Sequence, residues 1–368
     1  MSSSLSRRSF VTLSGGALAL AFAPLVGCAS SSAQASSQTG AAATQAASTA
    51  GDAAQAKAQA ASSIDASASS DSSAAIGTVD NALAVDEDAL VSTYAGAFSQ
   101  QTYADAETGL SIAYDLYLPD DYDAACSYPM VVFIADSSCV GDDPTVSLTQ
   151  GRGALVWATQ EWQSVHPTIV AVPTYPGTIL DDHGSYTTTA YVELTKRFVD
   201  YLAGAYAVDA GRVYGTGQSM GCMTTLILAA EYPGLYAGCM FVDGQWDVSA
   251  LTGLESQPFV YFAAEDDASA WAGAQEVMAM FDADAVSYAY AQWDGGWSVD
   301  ELSSAAQDLF AEDEDQYFIS WATRTIEPVS GGMGGVGGGM GSSSYHMASF
   351  DYAYNCVAAM EWLFQQRR

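Results

Sequence analysis

The chain has 368 residues, of which 43 are acidic and only 10 basic, a formal net charge of −33. A surface of that sign repels nucleic acid and other polyanions, disfavours phosphorylated substrates and is pushed away from anionic lipid headgroups, so no nucleic-acid partner is expected. The length allows one full α/β core with residues to spare.

The N-terminus reads as an address. Ser6-Arg7-Arg8-Ser9-Phe10-Val11 places a twin arginine ahead of an apolar stretch at 13–26, too short to span a bilayer, and Leu25-Val26-Gly27-Cys28 follows it. Residues 1–27 are therefore expected to be an export signal with a lipobox, and Cys28 the acylated anchor that holds the protein on the outer face of the cytoplasmic membrane. The membrane is expected to be reached through that lipid alone. Residues 28–84 are Ala, Ser, Gln, Thr and Gly almost throughout, with too little apolar bulk to offset the entropy of folding, and read as a disordered tether. The folded domain is expected to occupy 85–368.

Within it, strand-like and helix-like segments alternate, the pattern of a mostly parallel sheet covered on both faces. Residues 110–118 alternate like an edge or antiparallel strand. Residues 130–135 and 168–173 are continuous apolar runs and read as strands buried on both sides, with a helix at 154–165 between them. A helix at 188–206, a strand at 212–216, a helix at 222–231 and strands at 236–242 and 259–264 follow. A helix at 270–281, a strand at 287–293 and a closing helix at 352–365 complete the set.

The sequence Gly217-Gln218-Ser219-Met220-Gly221 fits G-x-S-x-G and lies between the strand at 212–216 and the helix at 222–231. Strand, sharp turn and helix are what a nucleophile elbow requires, because the turn lifts the serine hydroxyl out of the sheet. A serine needs a base to take its proton and an acid to orient that base. Three histidines are available. His346 stands last, ahead of the closing helix; His183 lies in a loop and is the alternative base; His166 precedes Pro167 at the start of a buried strand. The acid is expected after the strand at 259–264, in Glu265-Asp266-Asp267, with Asp266 preferred, Asp267 the alternative and Asp243 the runner-up location.

These residues carry a resemblance. Tyr117-Leu118-Pro119, Tyr128-Pro129 before Val131-Val132-Phe133, Arg212-Val213-Tyr214 before the elbow, and Glu231-Tyr232-Pro233 after it resemble the phospholipase/carboxylesterase and predicted-peptidase branch of the α/β-hydrolase superfamily. That branch includes feruloyl-esterase-like and polyhydroxyalkanoate-depolymerase-like enzymes. The resemblance implies an α/β-hydrolase fold, the order Ser219, Asp266, His346, and an oxyanion hole from the N–H groups of Met220 and Ser137. It implies a small-molecule or polymer-derived ester as substrate, and no metal or organic cofactor. Where relatives carry His-Gly in the oxyanion loop, this chain has Ala135-Asp136, which puts a carboxylate beside a site that must stabilise an anion.

Serine peptidase chemistry on the same triad, and a non-catalytic binding lipoprotein on the same fold, remain as alternatives. Residues 294–345 read as an insertion forming a lid or pocket wall, with 331–341 as its hinge and Trp297, Tyr317 and Trp321 suggesting an apolar or aromatic substrate group. Among the cysteines after Cys28, Cys126 and Cys139 are the expected disulfide pair. The oligomeric state is not readable from the chain.

Overall fold

The computed structural model describes residues 86–328 and 342–368, with side chains from 345 in the second stretch. The export signal, Cys28, the tether and the 331–341 hinge lie outside the described residues. In chain order the elements are α1 (Glu87–Tyr94), β1 (Ser99–Ala104), β2 (Ser111–Tyr117), β3 (Tyr128–Ile134), α2 (Thr145–Thr149), α3 (Gln160–Val165), β4 (Ile169–Thr174), β5 (Leu180–Asp181), β6 (Thr187–Thr188), α4 (Ala190–Ala205) and β7 (Val208–Gln218). Then come α5 (Met220–Glu231), β8 (Gly238–Val242), β9 (Phe259–Ala264), α6 (Ala268–Asp284), β10 (Ala289–Trp293), α7 (Val299–Phe310), β11 (Gln316–Trp321), α8 (Ser342–Tyr354) and α9 (Val357–Gln365).

Nine strands form one sheet in the order β1-β2-β4-β3-β7-β8-β9-β11-β10, with β5 and β6 as a separate short hairpin. β2 runs antiparallel to both β1 and β4, and every pairing from β4 to β10 is parallel. The continuous apolar runs serve two cores at once. On β3, Val131 and Phe133 face one core while Met130, Val132 and Ile134 face the other; on β9, Val260 and Phe262 oppose Phe259 and Tyr261. The first core is closed by α1, α3, α7, α8 and α9 through residues such as Leu90, Trp162, Leu309, Phe350 and Leu363. The second is closed by α4, α5 and α6 through Phe198, Leu226 and Val277. Burial on both sides is why these strands carry no polar alternation.

Four expectations change. The helix expected at 154–165 is divided: residues 155–158 form a 3-10 turn, and Thr159 turns extended (ψ 148°) so that its hydroxyl can cap α3 by accepting the Trp162 N–H. The closing helix is two helices, α8 and α9, meeting at Cys356 (ψ 82°). The region expected to be a lid contributes a strand to the sheet: β11 fills the place between β9 and β10, and its Tyr317 and Trp321, each 1% exposed, pack in the core instead of lining a pocket. Trp297 packs against the same core.

The fourth change concerns the disulfide. Cys126, Cys139, Cys222, Cys239 and Cys356 are all free, and Cys139 donates its thiol to Gln150 Oε1 at 2.7 Å. Cys126 and Cys139 stand before and after β3, whose seven residues span roughly 20 Å at strand rise, well beyond the reach of a disulfide.

Candidate active site

The carboxyl ends of the parallel strands carry the chemistry-bearing residues. Ser219 follows β7 directly and begins α5 with φ 53° and ψ −116°, a strained conformation for a residue with a Cβ. It is held there by its own N–H, donated to Val242 O at 3.1 Å, and by its carbonyl, which accepts the Met223 N–H at 2.9 Å. The flanking glycines let the turn close. A Cβ on Gly221 would lie 1.8 Å from Ile134 O, and one on Gly217 would lie 2.5 Å from the Gly221 carbonyl carbon. The first turn of α5 thus rests directly on the end of β3, where the oxyanion loop begins.

That loop is organised by the carboxylate that marks its departure from relatives. Asp136, 3% exposed, accepts the Ser138 N–H at 2.6 Å, and its other oxygen accepts Gln218 Nε2 at 3.4 Å. Gln218 Nε2 also reaches Gln150 Oε1 at 3.2 Å, and Gln150 Nε2 donates to the Ser138 hydroxyl at 2.9 Å. The Asp136 charge is therefore turned onto loop and strand donors. The Ser137 and Met220 N–H groups stand at the first positions of their helical turns, where a helix supplies no acceptor.

His346 is the fifth residue of α8, inside the helix rather than ahead of it, and α8 packs against β8 and β9. Its Nδ1 is 2.5 Å from Asp267 Oδ2 and 3.4 Å from Asp243 Oδ2. The carboxylate of the 265–267 run that faces His346 is accordingly Asp267, and the preference for Asp266 is corrected. Asp266 Oδ2 accepts the Arg324 N–H at 2.5 Å, whereas Asp267 caps α6, taking the Ser269 and Ala270 N–H groups at 3.1 and 3.4 Å. The demand for an N-cap turns Asp267 inward, and its neighbour then faces the loop after β11.

Burial pulls the His346 pKa down, but hydrogen bonds and charge from Asp243 and Asp267 outweigh it and push it up to about 10. Burial works against the Asp267 carboxylate, and the His346 bond more than compensates, leaving it below the ordinary aspartate range. Fully buried Asp243 is raised, by burial and then by the Asp267 charge.

The alternative base is elsewhere. His183 Nδ1 is 2.9 Å from Asp182, and its side chain is 85% exposed. With Ser137, Thr178, Leu180, Asp181, Asp182 and Thr187–Thr189 it lines a cavity of about 480 Å³. His166 is at the opposite end of the strands, paired with Glu361 at 2.9 Å and packed on Trp162 and Phe364. Two groups among the described residues have donor atoms close enough for a metal ion: Asp181 with Asp182 and His183, and Asp243 with Asp267 and His346. The second has its arrangement explained by a base between two carboxylates.

Sequence reasoning missed Ser349, which donates to Asp243 Oδ2 at 2.6 Å and to His346 O at 2.8 Å. Its spacing of three residues from His346 places it beside that residue only because both lie on α8, whereas the helix expected at 352–365 begins after both. The Gln218 amide that donates to Asp136, and the Gln150 amide that holds Gln218 and Ser138, carried no signal in the sequence.

Known proteins resemble this chain in sequence and in fold. The family model described as "Esterase: Putative esterase" matches residues 106–309. Acetylxylan esterase A of Emericella nidulans is 38% identical over 69 residues, 15% of this chain and 23% of that protein. "Putative esterase NocK" of Nocardia uniformis subsp. tsuyamanensis is 46% identical over 56 residues, 15% of this chain and 16% of that protein. A crystal structure titled as a thermostable esterase superposes with a TM-score of 0.58 at 25% identity, covering 75% of this chain and 64% of that one. The chain thus spans less than a quarter of the curated relatives it matches and under two thirds of the structural one.

Proposed function

Since this chain belongs to the esterase family and has the α/β-hydrolase fold, we propose that it is a serine esterase working through an acyl-enzyme, with Ser219, His346 and Asp267 as its triad. One observation carries the reading: the strained Ser219 elbow is tied by its N–H to Val242 O at the end of β8, and the next residue there, Asp243, lies 3.4 Å from the Nδ1 of His346, which is itself held 2.5 Å from the buried carboxylate of Asp267. With Nδ1–H donated to Asp267, the ring presents Nε2 as the free base. Nε2 takes the hydroxyl proton as Ser219 Oγ attacks the ester carbonyl carbon. The oxyanion is received by the N–H groups of Met220 and Ser137. The carbonyl re-forms as the bond to the alcohol oxygen breaks, and His346 returns the proton to that alcohol. Water repeats the sequence on the acyl-enzyme, releasing the acid and restoring Ser219.

The cavity next to Ser137 supports a small ester with a polar group as substrate, because threonines and carboxylates line it and Leu180 is its single apolar side chain. As to location, Arg7-Arg8, the apolar stretch after them and Cys28 support a lipid-anchored protein on the outer face of the cytoplasmic membrane. A Cys28→Ser variant recovered in the membrane fraction to the same extent as wild type speaks against that anchor.

A fluorophosphonate probe and a panel of short-chain esters and peptide amides test the activity. Wild type is expected to be labelled and to turn over esters, and Ser219→Ala to do neither. Equal labelling of the two proteins ends the catalytic reading, and turnover confined to amides replaces the esterase with a peptidase.

A further inference from the structure

His346 faces two carboxylates, and the triad uses one of them. Asp243, 0% exposed, sits at the end of β8 with its backbone at φ 48°. Its N–H is donated to Phe262 O at 2.9 Å. Its Oδ1 accepts the Ala264 N–H at 2.8 Å, and its Oδ2 accepts the Ser349 hydroxyl at 2.6 Å. None of these three anchors involves Asp267. Among the described residues the sole cationic partner in reach of the Asp243 carboxylate is His346. A fully buried carboxylate without a cation is costly, so an arrangement that orients Asp243 independently toward His346 asks for a role on that ring.

We propose that Asp243 is a second positioning acid for His346, sharing the Nδ1 proton with Asp267 and able to hold the ring alone when Asp267 loses its charge. The proposal rests on His346 being the base of the proposed hydrolase. The charged groups facing the ring are Asp243 from the end of β8 and Asp267 from the start of α6; on α8 itself, Ser349 and the Phe350 ring are uncharged. After burial, the charge of Asp267 is what raises the Asp243 pKa. Neutralising Asp267 removes that repulsion, so Asp243 ionises more readily in the variant that needs it.

The test follows the His346 ring by NMR through a pH titration of the full-length protein in wild type, Asp267→Asn, and Asp243→Asn/Asp267→Asn. The chain has three histidines, so a His346→Gln spectrum assigns the signal. Asparagine caps helices nearly as well as aspartate, so Asp267→Asn keeps the start of α6. Burial alone lowers a histidine pKa; a midpoint that stays above about 6.5 in Asp267→Asn therefore requires an anion at Nδ1, and Asp243 is the one present.

That result is expected, together with ester turnover reduced no more than about 100-fold in Asp267→Asn and about 10⁴-fold in the double variant, the loss typical of a triad deprived of its acid. A midpoint at or below 6.5 in Asp267→Asn overturns the proposal, and so does turnover as low as that of the double variant. If the double variant does not fold, the Asp267→Asn titration decides alone. Absence of Ser219-dependent turnover in wild type refutes the hydrolase reading separately, since the NMR midpoint reads the Asp243 contact without catalysis.

Discussion

Gly221→Ala puts one methyl group where the elbow meets the sheet. Its Cβ would be 1.8 Å from Ile134 O, 2.5 Å from Ile134 C and 2.9 Å from Ala135 O, against ordinary contacts of 3.4–4 Å. All three atoms are backbone, so no side chain can rotate away, and α5 must move from the end of β3 by roughly 1.5 Å. Overpacking of this kind costs about 3 kcal/mol, the upper part of the usual range, because neither element can yield independently. The same displacement reaches the chemistry, since Ile134-Ala135 leads into Ser137 and Gly221 is two residues from Ser219. A 1 Å misplacement of reacting groups costs about 100-fold in rate. Urea unfolding monitored by circular dichroism, with kcat/KM on a short-chain p-nitrophenyl ester, reads both effects. A variant within about 0.5 kcal/mol of wild type and within threefold in kcat/KM refutes the argument that direct backbone contact builds this elbow.

Two further outcomes follow from groups already described. His346 must be unprotonated to act as base, and its pKa is raised from 6.5 to about 10, so kcat/KM should climb with pH across that interval instead of levelling near neutrality; a plateau below pH 6.5 contradicts it. The same shift stabilises the folded state most below the unfolded-state pKa of about 6.5, and that contribution fades as pH rises through the folded-state value, which denaturation across pH 6–10 measures. Among the five cysteines of the described residues, Cys126 alone is exposed, so a thiol reagent added to native protein should lose one reactive equivalent in Cys126→Ala, and an unchanged count contradicts that exposure.

Much of the frame was legible because burial on two faces leaves a strong mark. The runs around Val131, Val170 and Val260 have no polar interruption, and each is a strand. The elbow was legible because glycine spacing, strand and helix coincide around Ser219. What failed depended on contacts distant in sequence. Asp266 and Asp267 are adjacent and chemically identical, and only the cap of α6 and the loop at Arg324 separate their roles. Nothing local to residues 316–321 says that they enter the sheet before β10 in spatial order. Cys126 and Cys139 are near in sequence, but an extended strand between them keeps them apart.

The position of β11 also sets an order of assembly. β9 and β10 leave the ribosome before the strand that joins them, so β10 has no partner in the sheet until residues 316–321 arrive and pair on both sides at once. His346 lies further along still, on a helix packed over β8 and β9. Ser219 is therefore made well before its base, and any truncation ahead of residue 316 removes the strand that joins the sheet and the histidine together. On the proposed triad, such a fragment keeps Ser219 and lacks its base, so hydrolytic competence waits for the helix that carries His346.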